Sequence, residues 1–291
     1  MHFSAAITEI IRKRFSCRKY LSKPIDKPKL QNILDACAGI KRGPLGSELQ
    51  FTLVASTEGD KAALKGLGTY GFIKNPTGFL IGTVRSGKKD LEDFGYCLEK
   101  LVLLATDLDL GTCWLGGSFT KRKFYRKISA SDKDVMPAVV SCGTIEDPVL
   151  ARKMFIRRAA GSFSRLGPGQ LFFDASFGTA LSKDAAGMYD LPLEMVRMGP
   201  SASNKQPWRI VRDQNKWHFF LQRTKGYPPL VAAKLLKIAD IQRVDMGISM
   251  CHFELTAREL GMHGRWVVEP PVLKIPDEST EYSVTWISGQ D

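Results

Sequence analysis

The feature that most constrains this chain is that one pattern runs through it twice. Gly43-Pro44-Leu45-Gly46-Ser47-Glu48-Leu49-Gln50 aligns without gaps on Gly199-Pro200-Ser201-Ala202-Ser203-Asn204-Lys205-Gln206, at an offset of 156 (199 − 43), with Gly, Pro, Ser and Gln identical. Each window leads into a β-prone run, residues 51–55 and 207–211. Further along, Ala105, Leu108 and Trp114 match Ala257, Leu260 and Trp266 at an offset of 152 (266 − 114). Cys97, Leu98, Leu101, Val102, Leu104, Ala105 and Leu108 recur at helical spacing, and Gly111 supplies a stop. Met250, Phe253, Leu255, Ala257 and Leu260, ended by Gly261, make the corresponding helix. The shared order is helix, Gly-Pro turn, strand, long amphipathic helix and Trp-bearing segment, and it outweighs a chance match of scattered identities. Residues 159–169, rich in Gly, Ser and Pro, suit a crossing between copies. The boundary is placed near residue 160, with copy 1 over residues 1–160 and copy 2 over 161–291.

Composition narrows the setting. With 291 residues and 44% hydrophobic content, the chain can bury a normal core. No run of about 18 apolar residues suggests a membrane span, and the N-terminus lacks a signal-peptide pattern, so a cytoplasmic protein with no membrane partner is expected. Cys17, Cys37, Cys97, Cys113, Cys142 and Cys251 show no metal-like or C-x-x-C spacing, and most sit among apolar residues. They are read as small hydrophobes, with neither disulfides nor metal expected. The net charge of +12 permits anionic ligands. No nucleic-acid-binding motif accompanies it, and a run such as Lys121-Arg122-Lys123 reads as an exposed helix face.

Three stretches resemble the FMN-dependent nitroreductase family. Arg14-Phe15-Ser16-Cys17-Arg18-Lys19-Tyr20, followed by Pro24-Ile25 and a helix over Leu30–Ala36, is similar to that family's R-x-S-x-R/K-x-aromatic opening. Residues 199–208 are similar to its A-P-S-x-x-N-x-Q-P-W segment, and Leu108–Gly117 to its Trp-Gly-Gly segment. The subfamily carrying both copies in one chain, including a run like Leu171-Phe172-Phe173-Asp174, resembles it most. The resemblance implies an α+β, nitroreductase-like fold, duplicated so that the family's homodimer interface forms within one chain. It also implies FMN as cofactor and NADH or NADPH as co-substrate. A monomer is expected, with a small molecule as its partner.

Within that resemblance the candidate cofactor-binding residues are Arg14, Ser16, Arg18, Leu115, Gly116, Gly117, Arg157, Arg158, Pro200, Ser201, Ala202, Ser203, Asn204 and Gln206, with Lys74 a weaker candidate. Alternating Arg14, Ser16 and Arg18 can face a phosphate and a ring edge together. The offset of 156 carries them onto Gln170, Phe172 and Asp174, and carries Ala202 and Asn204 back onto Gly46 and Glu48, so each copy keeps what the other lacks. One composite site is expected. The resemblance implies ping-pong transfer from NAD(P)H through the flavin to a flat electrophile such as a nitroaromatic or quinone. No catalytic proton donor is identifiable: His2, His218, His252 and His263 all lie outside the motifs. Other flavin chemistry on the same fold, a flavin carrier, or a scaffold without flavin are the rival readings.

Overall fold

Two stretches of alternating and continuous apolar residues become two sheets, and the helical apolar stripes become the layer between them. The computed structural model describes residues 1–57, 59–60, 62–117, 119–145, 164–225 and 239–289. Helices α1 (Ile7–Lys13) and α2 (Lys27–Gly39) precede β1 (Leu49–Ala55), β2 (Gly78–Arg85), α3 (Asp90–Asp107) and β3 (Leu110–Leu115). Next come α4 (Lys121–Tyr125), β4 (Asp134–Val135) and β5 (Val139–Thr144). Later in the chain lie β6 (Phe172–Asp174), α5 (Asp190–Met198), β7 (Trp208–Asp213), β8 (Lys216–Gln222), α6 (Ile241–Glu259), β9 (Gly264–Val267) and β10 (Thr280–Ser288). Arg157, Arg158 and the expected boundary near residue 160 lie outside the described residues.

The architecture is α+β. One sheet has the order β1-β2-β5-β3, with β4 on β2, and the other β6-β7-β8-β10-β9. Setting β4 and β6 aside, both orders run first, second, fourth, third along the chain. All pairings are antiparallel except β6 with β7. Helix α3 packs on β2 and β3, α6 packs on β7 and β8, and the two helices pack on each other. One apolar cluster therefore runs through both halves, from Phe51, Leu80 and Phe94 to Trp208, Phe219, Phe253 and Trp286. A second cluster, with Phe15, Cys17, Tyr20, Phe79 and Phe124, covers the other face of the first sheet. Because both its faces are covered, β2 is buried from Gly78 to Val84 and does not alternate.

The contact between α3 and α6 is made by glycine. A Cβ on Gly95 would lie 2.1 Å from the Val244 carbonyl oxygen, and one on Gly247 would lie 2.0 Å from that of Glu92. Gly95 is related to Gly247, and Glu92 to Val244, by the same offset as the two matched tryptophans, so the crossing has two-fold character. Beside it each helix carries a buried carboxylate that holds a tryptophan of its own half and a side chain of the other helix. Glu99 accepts from Trp114 Nε1 at 2.8 Å and is joined to His252 Nε2 at 2.9 Å. Glu254 accepts from Trp266 Nε1 at 2.7 Å and from Tyr96 Oη at 2.9 Å. His252 Nδ1 lies 2.9 Å from the Met195 carbonyl, an acceptor only, so this nitrogen carries a proton.

Two sequence expectations need correction. Gly111 does not stop α3: Asp109, at φ +59°, takes the left-handed position, while Gly111 lies within β3. There a Cβ would meet Ile145 and Cys17 at 2.7 and 2.9 Å, so glycine serves close strand packing. Nor is Gln170–Asp174 the counterpart of Arg14–Arg18. Ser16 bridges Thr112 on β3, whereas Phe172–Asp174 pair with Ile210–Arg212 on β7, which corresponds to β1. The two segments sit on opposite edges of their sheets. Buried Leu171 and the tilted and edge-to-face contacts of Phe177 with Phe173 and Phe220 fix the second one there.

Candidate functional site

The Arg14 segment begins at a helix end. Glu259, from α6, accepts the Ile7 and Thr8 amides at the start of α1, a favourable place for an anion. At the other end Arg14 turns into extended backbone (φ −59°, ψ 134°) while its N–H still bonds Ile10. From here alternation takes over: Phe15 and Cys17 are buried, Arg14 and Ser16 half-buried, and Arg18 exposed. Cys17 N donates to Thr112 at 2.8 Å, and Lys74 N to Arg18 at 2.8 Å, so the segment lies between β3 and the strand-like residues around Lys74. This places Lys74 directly beside Arg18. Burial pushes the Cys113 thiol up, while the Arg18 and Arg14 charges draw it down.

Beyond β3, buried Leu115 leads into Gly116 and Gly117. A Cβ on Gly116 would lie 2.8 Å from Ile241 Cγ1, so only glycine lets this turn reach the start of α6. One helical turn further along the same face, about 6 Å, stands Asp245, whose two carboxylate oxygens each lie 3.1 Å from the Ala202 amide. The first half has the same device: Asp93, at the equivalent position of α3, accepts the Leu45 and Ser47 amides at 2.8 Å. Both carboxyls have raised pKa values through burial, Asp245 well above the ordinary carboxylate range.

The turn that Asp245 holds is conformationally costly. Ser203, Asn204 and Gln206 have φ of +50°, +55° and +50°, and such left-handed residues other than Gly cost of order 1–3 kcal/mol each, least for Asn. Side chains hold the shape. Ser201 Oγ accepts from Gln206 N at 2.9 Å. Buried Gln206 accepts from Leu166 N at 3.0 Å and donates to Ser164 O at 3.3 Å. Asn204 donates to the same carbonyl at 2.9 Å. The amides of Asn204 and Gln206 thus clamp residues 164–166 onto the turn, while Pro200, Ser201 and Ala202 are half-buried and Ser203 is exposed.

Arg165, which no motif indicated, closes the arrangement. Its Nη1 donates to Asn204 Oδ1 and its Nη2 to Met198 O at 3.2 Å. Burial, then the Arg14 and Arg197 charges, push its pKa down to about 10. The described candidates are joined in one run of contacts: Arg14–Arg18 along β3, Leu115–Gly117 onto Ile241, Asp245 onto Ala202, and Asn204 onto Arg165. Cationic side chains and a turn of small residues on one such run suit a flat ligand bearing an anionic group. Among the described residues no group of three or more His, Cys, Asp and Glu side chains could hold a metal ion, and no helix is long and apolar enough to cross a membrane.

Comparison with known proteins gives a family model described as "Putative TM nitroreductase", which matches residues 6–257. A crystal structure of a putative nitroreductase from Thermotoga maritima is similar over 99% of this chain and 95% of its own, with a TM-score of 0.61 and 17% identity. It shares the fold. A nitroreductase with bound FMN from Bacteroides fragilis matches 49% of this chain and 90% of its own, at 22% identity and a TM-score of 0.38. A putative nitroreductase in complex with FMN from Desulfovibrio desulfuricans matches 50% and 89%, at 17% identity and a TM-score of 0.39. No curated protein matches the chain.

Proposed function

The chain belongs to the "Putative TM nitroreductase" family, and from that premise we propose that it is an FMN-dependent oxidoreductase with one composite cofactor site. The observation that carries this reading is the run of contacts from the Arg14–Arg18 segment on β3, through Gly116 against Ile241 and Asp245 on Ala202, to the Pro200–Gln206 turn. The residues fit the group. Guanidiniums are suited to a phosphate, and the small residues Ser201 and Ala202 leave room for a flat ring. In this reading Arg14 and Arg18 bind the anionic end, Ser16 offers its hydroxyl to the same ligand, and the Leu115–Gly117 backbone with Pro200–Ser203 lines the ring. Asn204 and Gln206 position the turn through residues 164–166. Arg157 and Arg158 are kept as further candidate cations for the phosphate.

When bound, FMN would supply two-electron chemistry, exchanged in ping-pong fashion between NADH or NADPH and a small flat electrophile such as a nitroaromatic or quinone. The chain's part is to orient the cofactor and hold it against charge-matched walls. The repeated strand order, the Gly95–Gly247 crossing and the Asp93 and Asp245 hooks support two copies of one fold that supply the family's dimer interface internally. A cytoplasmic monomer, with copies dividing near residue 160, follows from the same reading.

Titration with FMN, read by flavin fluorescence and absorbance, tests the proposal. One FMN per chain is expected, weakened by Arg14→Ala and by Ser201→Ala and unaffected by Gln170→Arg. NAD(P)H oxidation by the loaded protein distinguishes an enzyme from a carrier, which would bind and not turn over. An absence of flavin binding would overturn the proposal.

A further inference from the structure

We propose that Asp107 and Glu259 are positioning residues of the flavin site: together they seat helix α1, and the seated helix delivers the Arg14–Arg18 segment to the cofactor. This rests on the flavin reading above and adds to it two carboxylates outside all three motifs.

The two carboxylates are counterparts. They are the last residues of α3 and α6, at the offset of 152 (259 − 107) that also relates Gly95 to Gly247. Two residues beyond each, Asp109 and Gly261 take the left-handed position that ends the helix, with φ of +59° and +78°. Symmetry would give each carboxylate a segment of its own, yet both are spent on one. Asp107 accepts from Ser4 N at 2.7 Å, from Ser4 Oγ at 2.8 Å and from Ala5 N at 3.3 Å. Glu259 accepts from Ile7 N and, at 3.3 Å, from Thr8 N. Both therefore act at the start of α1, where unpaired amides and the helix dipole favour negative charge. At the far end of α1, Lys13 pairs with Asp109. Between these ties Ile7, Ile10 and Ile11 are buried in the apolar cluster that runs through both halves. A helix of seven residues does not persist alone in water. Released from its seat it unwinds, and Arg14, whose N–H closes the last turn on Ile10, loses its fixed point of departure. Seating of α1 and binding at Arg14–Arg18 are thus linked, since a ligand that needs the segment in place favours the seated helix.

Hydrogen exchange of residues 4–13, which precede the proposed flavin contacts, tests this in wild type, Glu259→Ala, Glu259→Gln and Asp107→Ala. In the free wild type these residues should be less protected than β8 and β10, the mark of a helix that opens by itself. FMN at about 100 times its dissociation constant should slow their exchange by about 100-fold. Glu259→Ala and Asp107→Ala should each speed it by roughly 10-fold, the size of a lost helix cap. Glu259→Gln, whose amide oxygen still accepts, should recover part of the loss. The wild-type comparison decides even where a variant fails to fold. Exchange that bound FMN leaves unchanged would show that α1 only supports the fold, and protection equal to that of β8 and β10 would show that it never opens separately. Variants that exchange like wild type would show that the carboxylates do not seat it. Each of these overturns the assignment and leaves the flavin reading standing. If wild type binds no flavin, the flavin reading fails, and this assignment fails with it.

Discussion

Replacing Gly95 or Gly247 by alanine should be among the most damaging small changes this chain can suffer. Ordinary contact begins near 3.4 Å, whereas the new methyl groups would stand 2.1 and 2.0 Å from carbonyl oxygens, so α3 and α6 must part by more than a third of a contact distance. The obstacles are backbone carbonyls, which cannot swing aside as a side chain could. In a helix interior alanine gains up to about 1 kcal/mol over glycine, but overpacking a core costs about 1–3 kcal/mol, and more when backbones must move. The clash wins, by about 2 kcal/mol or more for each variant. With a denaturant slope near 3 kcal/mol/M in urea, the midpoint should fall by roughly 0.7 M. Because both methyls press on one crossing, the double variant should lose less than the sum of the two. Asp245 lies two residues before Gly247, so flavin affinity should fall even where the variant still folds. Gly39→Ala, where nothing stands within 4 Å, is the control and should stay within about 1 kcal/mol of wild type. Midpoints for Gly95→Ala and Gly247→Ala at or above wild type would refute the close crossing.

Further outcomes follow from buried polar groups. Asp245 holds its proton more tightly folded than unfolded, so that contribution is full below the ordinary value of 3.8 and is lost as pH rises through its raised folded pKa. Asp245→Asn keeps an acceptor for Ala202 without the charge. Its urea midpoint should gain on wild type as pH rises above the ordinary value of 3.8 toward the raised folded pKa, and a constant difference would contradict the argument. His252→Leu leaves the fully buried Glu99 without its imidazole partner and with Trp114 alone of the two, and should cost about 3–5 kcal/mol. Adding Glu99→Gln should restore part of that loss in a double-mutant cycle, and purely additive losses would argue against the pair. All six thiols are buried, with Cys17 pushed up to about 11 and Cys37 to about 12 by burial. A thiol reagent at pH 8 should therefore label the native protein far more slowly than the unfolded one, and rapid labelling would show that the sites open.

Much of the fold was open to reading in the sequence because it is carried by periodicity. The strands after each Gly-Pro turn and the two long helices appear where their apolar spacing placed them. The helix crossing was written there too: Asp93-Phe94-Gly95 and Asp245-Met246-Gly247 share a D-x-G pattern at the offset of 152, the same as that of Trp114 and Trp266. A glycine inside an amphipathic helix signals nothing until the facing helix is known. Arg165 was hidden for another reason. It has no motif of its own and gains meaning only from Asn204, 39 residues later, whose amide a sequence comparison assigns to the ligand and the fold spends on residues 164–166.

The asymmetry of the molecule arises at its sheet edges. Both long helices carry a Gly and a carboxylate hook, and each Gly is needed for the facing helix to pack: Gly95 makes room for Val244, and Gly247 for Glu92. Edge segments are under no such mutual demand. The first sheet gives its β3 edge to Arg14–Arg18, a polar strand with two guanidiniums, whereas Phe172–Asp174 is taken by the β7 edge and sealed there with aromatic side chains. At the position equivalent to Ile241 in the first half stands Lys89, whose neighbours Glu92, Arg243 and Tyr282 fill the corresponding space with an ion-pair and cation-π network. At one side of the crossing a cationic segment and a turn of small residues are therefore joined through Ile241 and Asp245, while Lys89 and its charged and aromatic partners occupy the equivalent position at the other. The expected stoichiometry of one flavin follows from that difference at the edges, and no loss of a repeated motif at aligned positions is needed to explain it.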